Sequence, residues 1–163
     1  MEILGQPAQS GVARLVGVEN LLSMRVVSRR PQDGTMVCVP VEPPAEHDAG
    51  VRVEVPLGYL DEGDPLTVGI RASDVILATE QLQSSSARNQ LPGVVTNVEL
   101  RPPGYEVTMD CKGILLRCHI TGSSMVEMKV EPGLPLWAVF KASSCFLVQE
   151  DQPGSLSAAS PPG

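Results

Sequence analysis

The sequence predicts an all-β protein in which one small domain is written twice, and three observations carry that expectation. The first is an internal repeat, which takes precedence over any other reading. Segment 60–77 returns at 130–147, with Gly63, Pro65, Leu66, Ala72, Ser73 and Leu77 matched by Gly133, Pro135, Leu136, Ala142, Ser143 and Leu147. Arg71 is matched by Lys141, so a cation is kept. Upstream, Asn20, Leu22 and Val26 match Asn89, Leu91 and Val95. The second observation is punctuation: 15 glycines and 15 prolines break the chain into short Val-, Leu- and Ile-rich runs, the signature of many short strands. The third is size. Each copy holds about five strand-length segments, and a sheet that small must close or leave its edges to solvent. A five-stranded barrel of the OB type closes it. The prediction is therefore two tandem OB-like barrels, at residues 12–80 and 84–149, with one short helix and flexible tails at 1–11 and 150–163.

Taken in order, residues 12–18 form an apolar run of strand length, and 22–29 alternate weakly as a second strand. The Asp33-Gly34 pair signals a hairpin turn, and 35–41 supply its partner. Residues 42–50 are a Pro-rich, acidic loop, and 51–55 alternate strictly as a half-buried strand. After a turn at 58–64, the stretch 66–78 is a strand interrupted by Ala72-Ser73-Asp74. The polar, Ser-rich segment 79–86 is the boundary between copies. Strands then follow at 91–100, 105–111 and 114–121, with turns at 101–104 and at Lys112-Gly113. Residues 123–130 are the one helical candidate, capped by Ser123 or Ser124 with Glu127 in the first turn. The region 135–148 closes the second copy.

Composition excludes several function classes. A net charge of −7 without any Lys/Arg run argues against nucleic-acid binding by bulk electrostatics. Arg29-Arg30 is a lone basic pair and reads as a solvated loop. The N-terminus lacks the basic and apolar regions of a signal peptide, and no apolar run reaches the roughly 18 residues of a membrane span. The expectation is a cytoplasmic chain with no direct membrane insertion. Cys38, Cys111, Cys118 and Cys145 form no Cys-x-x-Cys pair and read as reduced, buried thiols. His119 and Cys118 alternate to opposite faces of one strand, so no metal site is expected, and His47 has no evident partner. No set of residues suggests catalysis.

The most specific local feature is the pair Ser86-Ala87-Arg88-Asn89 and Lys141-Ala142-Ser143. Together with Ala13–Leu22 and Gly69–Leu77 it resembles the molybdenum-pterin-binding (Mop, or TOBE) domain of molbindins and of the C-terminal regulatory part of the molybdate ABC transporter ATPase subunit. The resemblance spans roughly residues 12–148. It implies binding of molybdate or tungstate as ligand, a homodimer, and association with the transporter's membrane and ATPase subunits at the inner face of the membrane. It also implies sites lying between barrels of different subunits, with the 86–89 segment of one chain near 141–143 of another. Two departures stand out. No Gly-x-x-x-x-Gly-Lys-Ser/Thr phosphate loop occurs, so the chain is not expected to be an enzyme. And the first copy carries Val18-Glu19-Asn20 where the second has Ala87-Arg88-Asn89, which makes it a poor anion binder by its own residues.

The chemistry suits the resemblance. Tetrahedral dianions present four acceptor oxygens, and a selective site needs many N–H and O–H donors with modest positive charge. Backbone amides of Ser86, Ala87, Arg88, Asn89, Ala142 and Ser143 can form a concave nest. Ser86, Thr121 and Ser143 add hydroxyls, and Lys141 adds a charged donor. Arg71, Ala72 and Ser73 are weaker candidates in the first copy. The bland alternative is that Arg88 and Lys141 are ordinary surface cations and Asn89 a turn residue. Two further functions remain open: a free-standing oxyanion buffer with the same site, and a dimerisation module without ligand.

Overall fold

The computed structural model describes residues 17–41 and 50–148. Ten strands appear: β1 (Asn20–Arg30), β2 (Thr35–Pro40), β3 (Val53–Pro56), β4 (Pro65–Ile70), β5 (Ile76–Ala78), β6 (Asn89–Arg101), β7 (Gly104–Cys111), β8 (Ile114–Ile120), β9 (Pro135–Phe140) and β10 (Cys145–Val148). Among the described residues one α-helix, α1 (Gly122–Met128), follows β8. Single 3-10 turns at Ala72–Asp74 and Ala142–Ser144 separate β4 from β5 and β9 from β10, as the Ala-Ser interruptions in the sequence suggest.

The strands form two five-stranded antiparallel sheets, ordered β10-β4-β1-β2-β3 and β5-β9-β6-β7-β8. The two copies exchange their last strands. Ile76–Ala78 of the first copy pairs with β9 of the second, Ile76 opposite Val139. Cys145–Val148 of the second pairs with β4 of the first, Cys145 opposite Ile70. Each crossing strand then approaches the far edge of its new sheet, β10 against β3 and β5 against β8, so each sheet curls toward a barrel. An edge that would otherwise face solvent is covered this way. The sequence repeats and the sheets are thus out of step by one strand, which a repeat in the chain cannot reveal.

Matched residues do matched jobs. β1 bulges between Val26 and Ser28, and β6 between Val95 and Asn97. Into each bulge docks a turn. Gly63 N–H donates to Val26 O at 2.8 Å, and Gly133 N–H to Val95 O at 2.8 Å. In return Val26 N–H donates to Asp64 O and Val95 N–H to Leu134 O. Both glycines have φ +96°, a conformation that other residues adopt only under strain. The repeated Gly-x-Pro-Leu is therefore a turn that locks onto a bulge.

The core is aliphatic. Met24, Val26, Met36, Val53, Val55, Val68 and Ile70 are buried in the first sheet, and Leu91, Val95, Val107, Met109, Leu116 and Phe140 in the second. They belong to one cluster, in which each fully buried aliphatic side chain contributes about 1.5–3 kcal/mol.

Three local expectations shift. In the 12–18 run only Gly17 and Val18 are described, and they lie outside any strand; the acidic loop at 42–49 and both tails lie outside the described residues. The helix cap lies two or three residues earlier than Ser123 or Ser124. Thr121 is the N-cap, its hydroxyl accepting from Ser124 N–H at 3.1 Å, because its extended backbone comes straight off β8.

All four cysteines are free and buried. Burial pushes the Cys38 thiol up to about 11. The others rise to about 12: burial acts first in each, helped by Asp110 beside Cys111, by Cys111 and Glu106 beside Cys118, and by Cys38 beside Cys145. The folded protein therefore holds thiol protons that the unfolded chain releases from about pH 9 upward. The stability this supplies is complete below that pH and is lost as pH rises toward 11 and 12. At pH 8 a thiol reagent is expected to label none of the four quickly in the native protein and all four in denaturant. Fast labelling of any one in the native state contradicts this burial.

Candidate anion-binding site

The β6–β9 pairing, with Asn89 opposite Phe140, sets the segment before β6 beside Lys141, and strand exchange brings both against the first half. β9 ends at Phe140, and the chain turns through Lys141 and Ala142–Ser144 before crossing to the first sheet as β10. That turn packs against β3 of the other half. The segment before β6 arrives at the same place. The result is a cleft of about 700 Å³ at the seam, lined on one side by Arg30, Thr35 and Glu54 and on the other by Ser86, Arg88, Lys141, Ala142 and Ser143.

The cleft's charges are unevenly satisfied. Glu54 is occupied: Thr35 Oγ1 donates to its Oε2 at 2.8 Å, and Arg30 Nη1 lies 4.0 Å from its Oε1. Among the described residues neither Arg88 nor Lys141 pairs with a carboxylate. Ser86 and Ser143 are exposed hydroxyls beside them. Two unpaired cations and two hydroxyls, converging from two segments, make a surface suited to an anion.

One chain therefore brings together Ser86, Arg88, Lys141, Ala142 and Ser143. The β6–β9 register brings these two segments together within a single chain, whereas the resemblance implies the 86–89 segment of one chain near 141–143 of another. The other candidates are used elsewhere. Ala87 N–H donates to Ser85 Oγ at 2.9 Å, a local turn. Thr121 caps α1 and does not line the cleft.

Asn89 is buried and its carboxamide is fully engaged. Its Oδ1 accepts from Glu54 N–H at 2.7 Å, and its Nδ2 donates to Glu54 O at 2.9 Å. Asn20 does the same across the pseudo-dyad: Arg117 N–H donates to its Oδ1 at 2.8 Å, and its Nδ2 donates to Arg117 O at 3.0 Å. The repeated asparagine is thus a clamp. Each copy uses it to grip the edge strand of the other, β3 or β8, and Glu54 and Arg117 are equivalent positions.

Ala72 and Ser73 lie in the 3-10 turn that packs against β8, and neither they nor Arg71 line the cleft. The Arg71 guanidinium lies 5.0 Å over the Phe146 ring, a cation–π contact. Sequence reading also missed three side chains. Arg29, taken as solvated, ties down the 58–60 turn by donating to Gly58 O at 2.8 Å and Leu60 O at 2.5 Å. Arg30 and Thr35 reach the cleft because they pair at the end of the β1–β2 hairpin, a register with no motif of its own.

Replacing Asn89 by Ala leaves the Glu54 N–H without its partner and the Glu54 C=O with only the weak Cys145 Sγ contact at 4.0 Å. Urea unfolding is expected to show a loss of about 2–4 kcal/mol, two buried groups at about 1–3 kcal/mol each with partial rescue by water. A loss under about 1 kcal/mol contradicts the clamp.

Residues 85–147 match the TOBE domain family. The chain is 30% identical over 143 residues to the molybdate/tungstate import ATP-binding protein WtpC of Pyrococcus abyssi, covering 88% of this chain and 36% of that protein. It is 36% identical over 99 residues to the molybdenum import ATP-binding protein ModC of Mesorhizobium japonicum, covering 59% of this chain and 26% of that one. The chain thus spans about a third of the length of these curated relatives. In fold it is similar to the cytoplasmic molybdate-binding protein ModG, solved with molybdate bound, with a TM-score of 0.69 and 22% identity over 82% of this chain and 97% of that one. Residues 85–147 thus match the TOBE domain, and the described residues before them repeat its bulge, its docking turn and its buried asparagine.

Proposed function

We propose that this chain binds molybdate or tungstate in the seam cleft and serves as the regulatory part of an import ATPase for that oxyanion. The observation that carries the reading is the pair of unpaired cations, Arg88 and Lys141, facing the hydroxyls of Ser86 and Ser143. A tetrahedral dianion supplies what they lack. Lys141 and Arg88 donate charge-assisted hydrogen bonds, and the serine hydroxyls donate to the remaining oxygens. Glu54, held by Thr35, keeps the local charge from becoming strongly positive. This favours an anion matched in shape over any anion at all.

The proposed regulation works through the seam. The ligand touches β3 on the first half and the β9–β10 turn on the second, so it favours whichever arrangement of the halves closes the cleft. Only a difference in affinity between two arrangements can bias a transporter. The working place is the cytoplasmic face of the membrane, with transporter subunits as partners and a homodimer as the assembled form. Because one chain supplies both segments, binding does not require the dimer. Among the described residues no helix is long and apolar enough to cross a membrane.

A second reading, a free-standing oxyanion buffer, is favoured by one observation: the likeness to ModG covers that protein almost end to end. Capture of transporter membrane and ATPase subunits by the immobilised chain separates the two.

Isothermal titration with tungstate is expected to show binding, and Lys141→Ala to weaken it by about 1.5–3 kcal/mol, the range for a hydrogen bond to a charged partner. Sulfate, a smaller tetrahedron, is expected to bind much more weakly, since each donor it leaves unpaired costs about 1–3 kcal/mol. Wild-type protein giving neither heat nor thermal shift with millimolar oxyanion rules the proposal out.

A further inference from the structure

The first copy's counterpart of the cleft is filled by the protein itself. Ala72, which corresponds to Ala142, donates its backbone N–H to Glu19 Oε1 at 2.9 Å. Glu19 stands where the second copy has Arg88, directly before the clamp asparagine. The equivalent amide of Ala142 meets no side-chain acceptor among the described residues. So the same turn meets a carboxylate in one copy and a free cation in the other.

The neighbouring positions show the same substitution of charges. Asn89 grips Glu54 and Asn20 grips Arg117, which makes those two positions equivalent. Thr35 pairs with Pro56, and Glu106 pairs with His119, each two residues beyond the gripped position. Thr35 of the cleft therefore corresponds to Glu106. Glu106 is buried and gathers three basic groups: Arg101 at 3.4 Å, Arg117 at 3.4 Å and His119 at 3.5 Å.

We propose that Glu19 is a built-in anion that occupies the first copy's oxyanion position and closes it, so that each chain carries one open site. The inference rests on the second copy's cleft being an oxyanion site, and it extends that reading to the Arg71-Ala72-Ser73 motif. A tethered carboxylate acts at an effective concentration on the order of millimolar or more. Free oxyanion at micromolar levels does not displace it. Its hydrogen bond also joins the segment entering β1 to the turn that leads into the crossing strand β5, so the occupied position works as a fastening between the halves.

The test is the number of tungstate ions bound per chain, measured by equilibrium dialysis with elemental analysis at millimolar tungstate. Glu19→Gln keeps an oxygen to accept from Ala72 and is expected to match wild type. Glu19→Arg installs the second copy's residue and is expected to bind one more tungstate per chain than wild type; Glu19→Ser gives the same reading if the arginine variant does not fold. Wild type binding one and the variant two supports the proposal. Wild type binding none and the variant one supports closure by Glu19 but overturns the open cleft assigned above, and with it the count of one open site per chain. Wild type already binding two, or folded Glu19→Arg and Glu19→Ser gaining nothing, overturns it.

Discussion

The exchange of the last strands between the two copies is the constraint on which the rest of this structure depends. A five-stranded barrel this small buries little on its own. Here neither half is complete without a strand from the other: β5 finishes the second sheet and β10 the first. The crossing segments must pass over the seam, and in passing they leave a 3-10 turn against the opposite half's edge strand. The cleft is a by-product of that route. Its donors come from Lys141–Ser143 on the crossing turn, from Ser86 and Arg88 just ahead of β6, and from Arg30 and Thr35 on the first hairpin. Arg88 and Lys141 meet through the β6–β9 pairing, and the crossing brings them against Arg30 and Thr35 of the first hairpin.

Two buried asparagines make the seam specific. Apolar contact across it would tolerate sliding. The paired hydrogen bonds of Asn20 on Arg117 and of Asn89 on Glu54 do not, because each satisfies both the N–H and the C=O of one residue. Moving by one residue would leave buried polar groups unpaired at about 1–3 kcal/mol each. Asn89 sits directly after Arg88, and Asn20 directly after Glu19. The clamp thus fixes the preceding side chain at the mouth of the seam. The two copies share this frame and differ in what they place on it, a cation in one and an anion in the other.

Much of the fold was legible in the sequence, and the reasons are local. Gly63 and Gly133 announce the bulge-docking turns, Asp33-Gly34 and Lys112-Gly113 announce hairpins, and the Ala-Ser pairs mark the 3-10 breaks. These are short-range signals with a backbone cause. Strand exchange has no such signal. A repeat shows that two units are alike, but an exchanged strand and an unexchanged one have the same sequence. The site was half legible for the same reason. Ser86, Arg88 and Lys141–Ser143 stand out as motif residues, whereas Arg30 and Thr35 reach the cleft only through hairpin register and the opposition of halves. Asn89 was legible as a constrained position but not as a clamp, since its partner lies 35 residues away on another sheet. Thr121 caps α1 and does not line the cleft, a role that a hydroxyl beside a strand end suits as well as it suits an anion.

The central claim is that one chain, by crossing its strands, assembles a complete oxyanion site at its own seam. Crystals grown with tungstate test it directly, because the anomalous signal of tungsten locates the ion without reference to the protein. The account places a tungsten peak within hydrogen-bonding reach of Arg88, Lys141 and Ser143 of a single chain. A peak held by Lys141 of one chain and Arg88 of another, with the cleft of each chain empty, contradicts it.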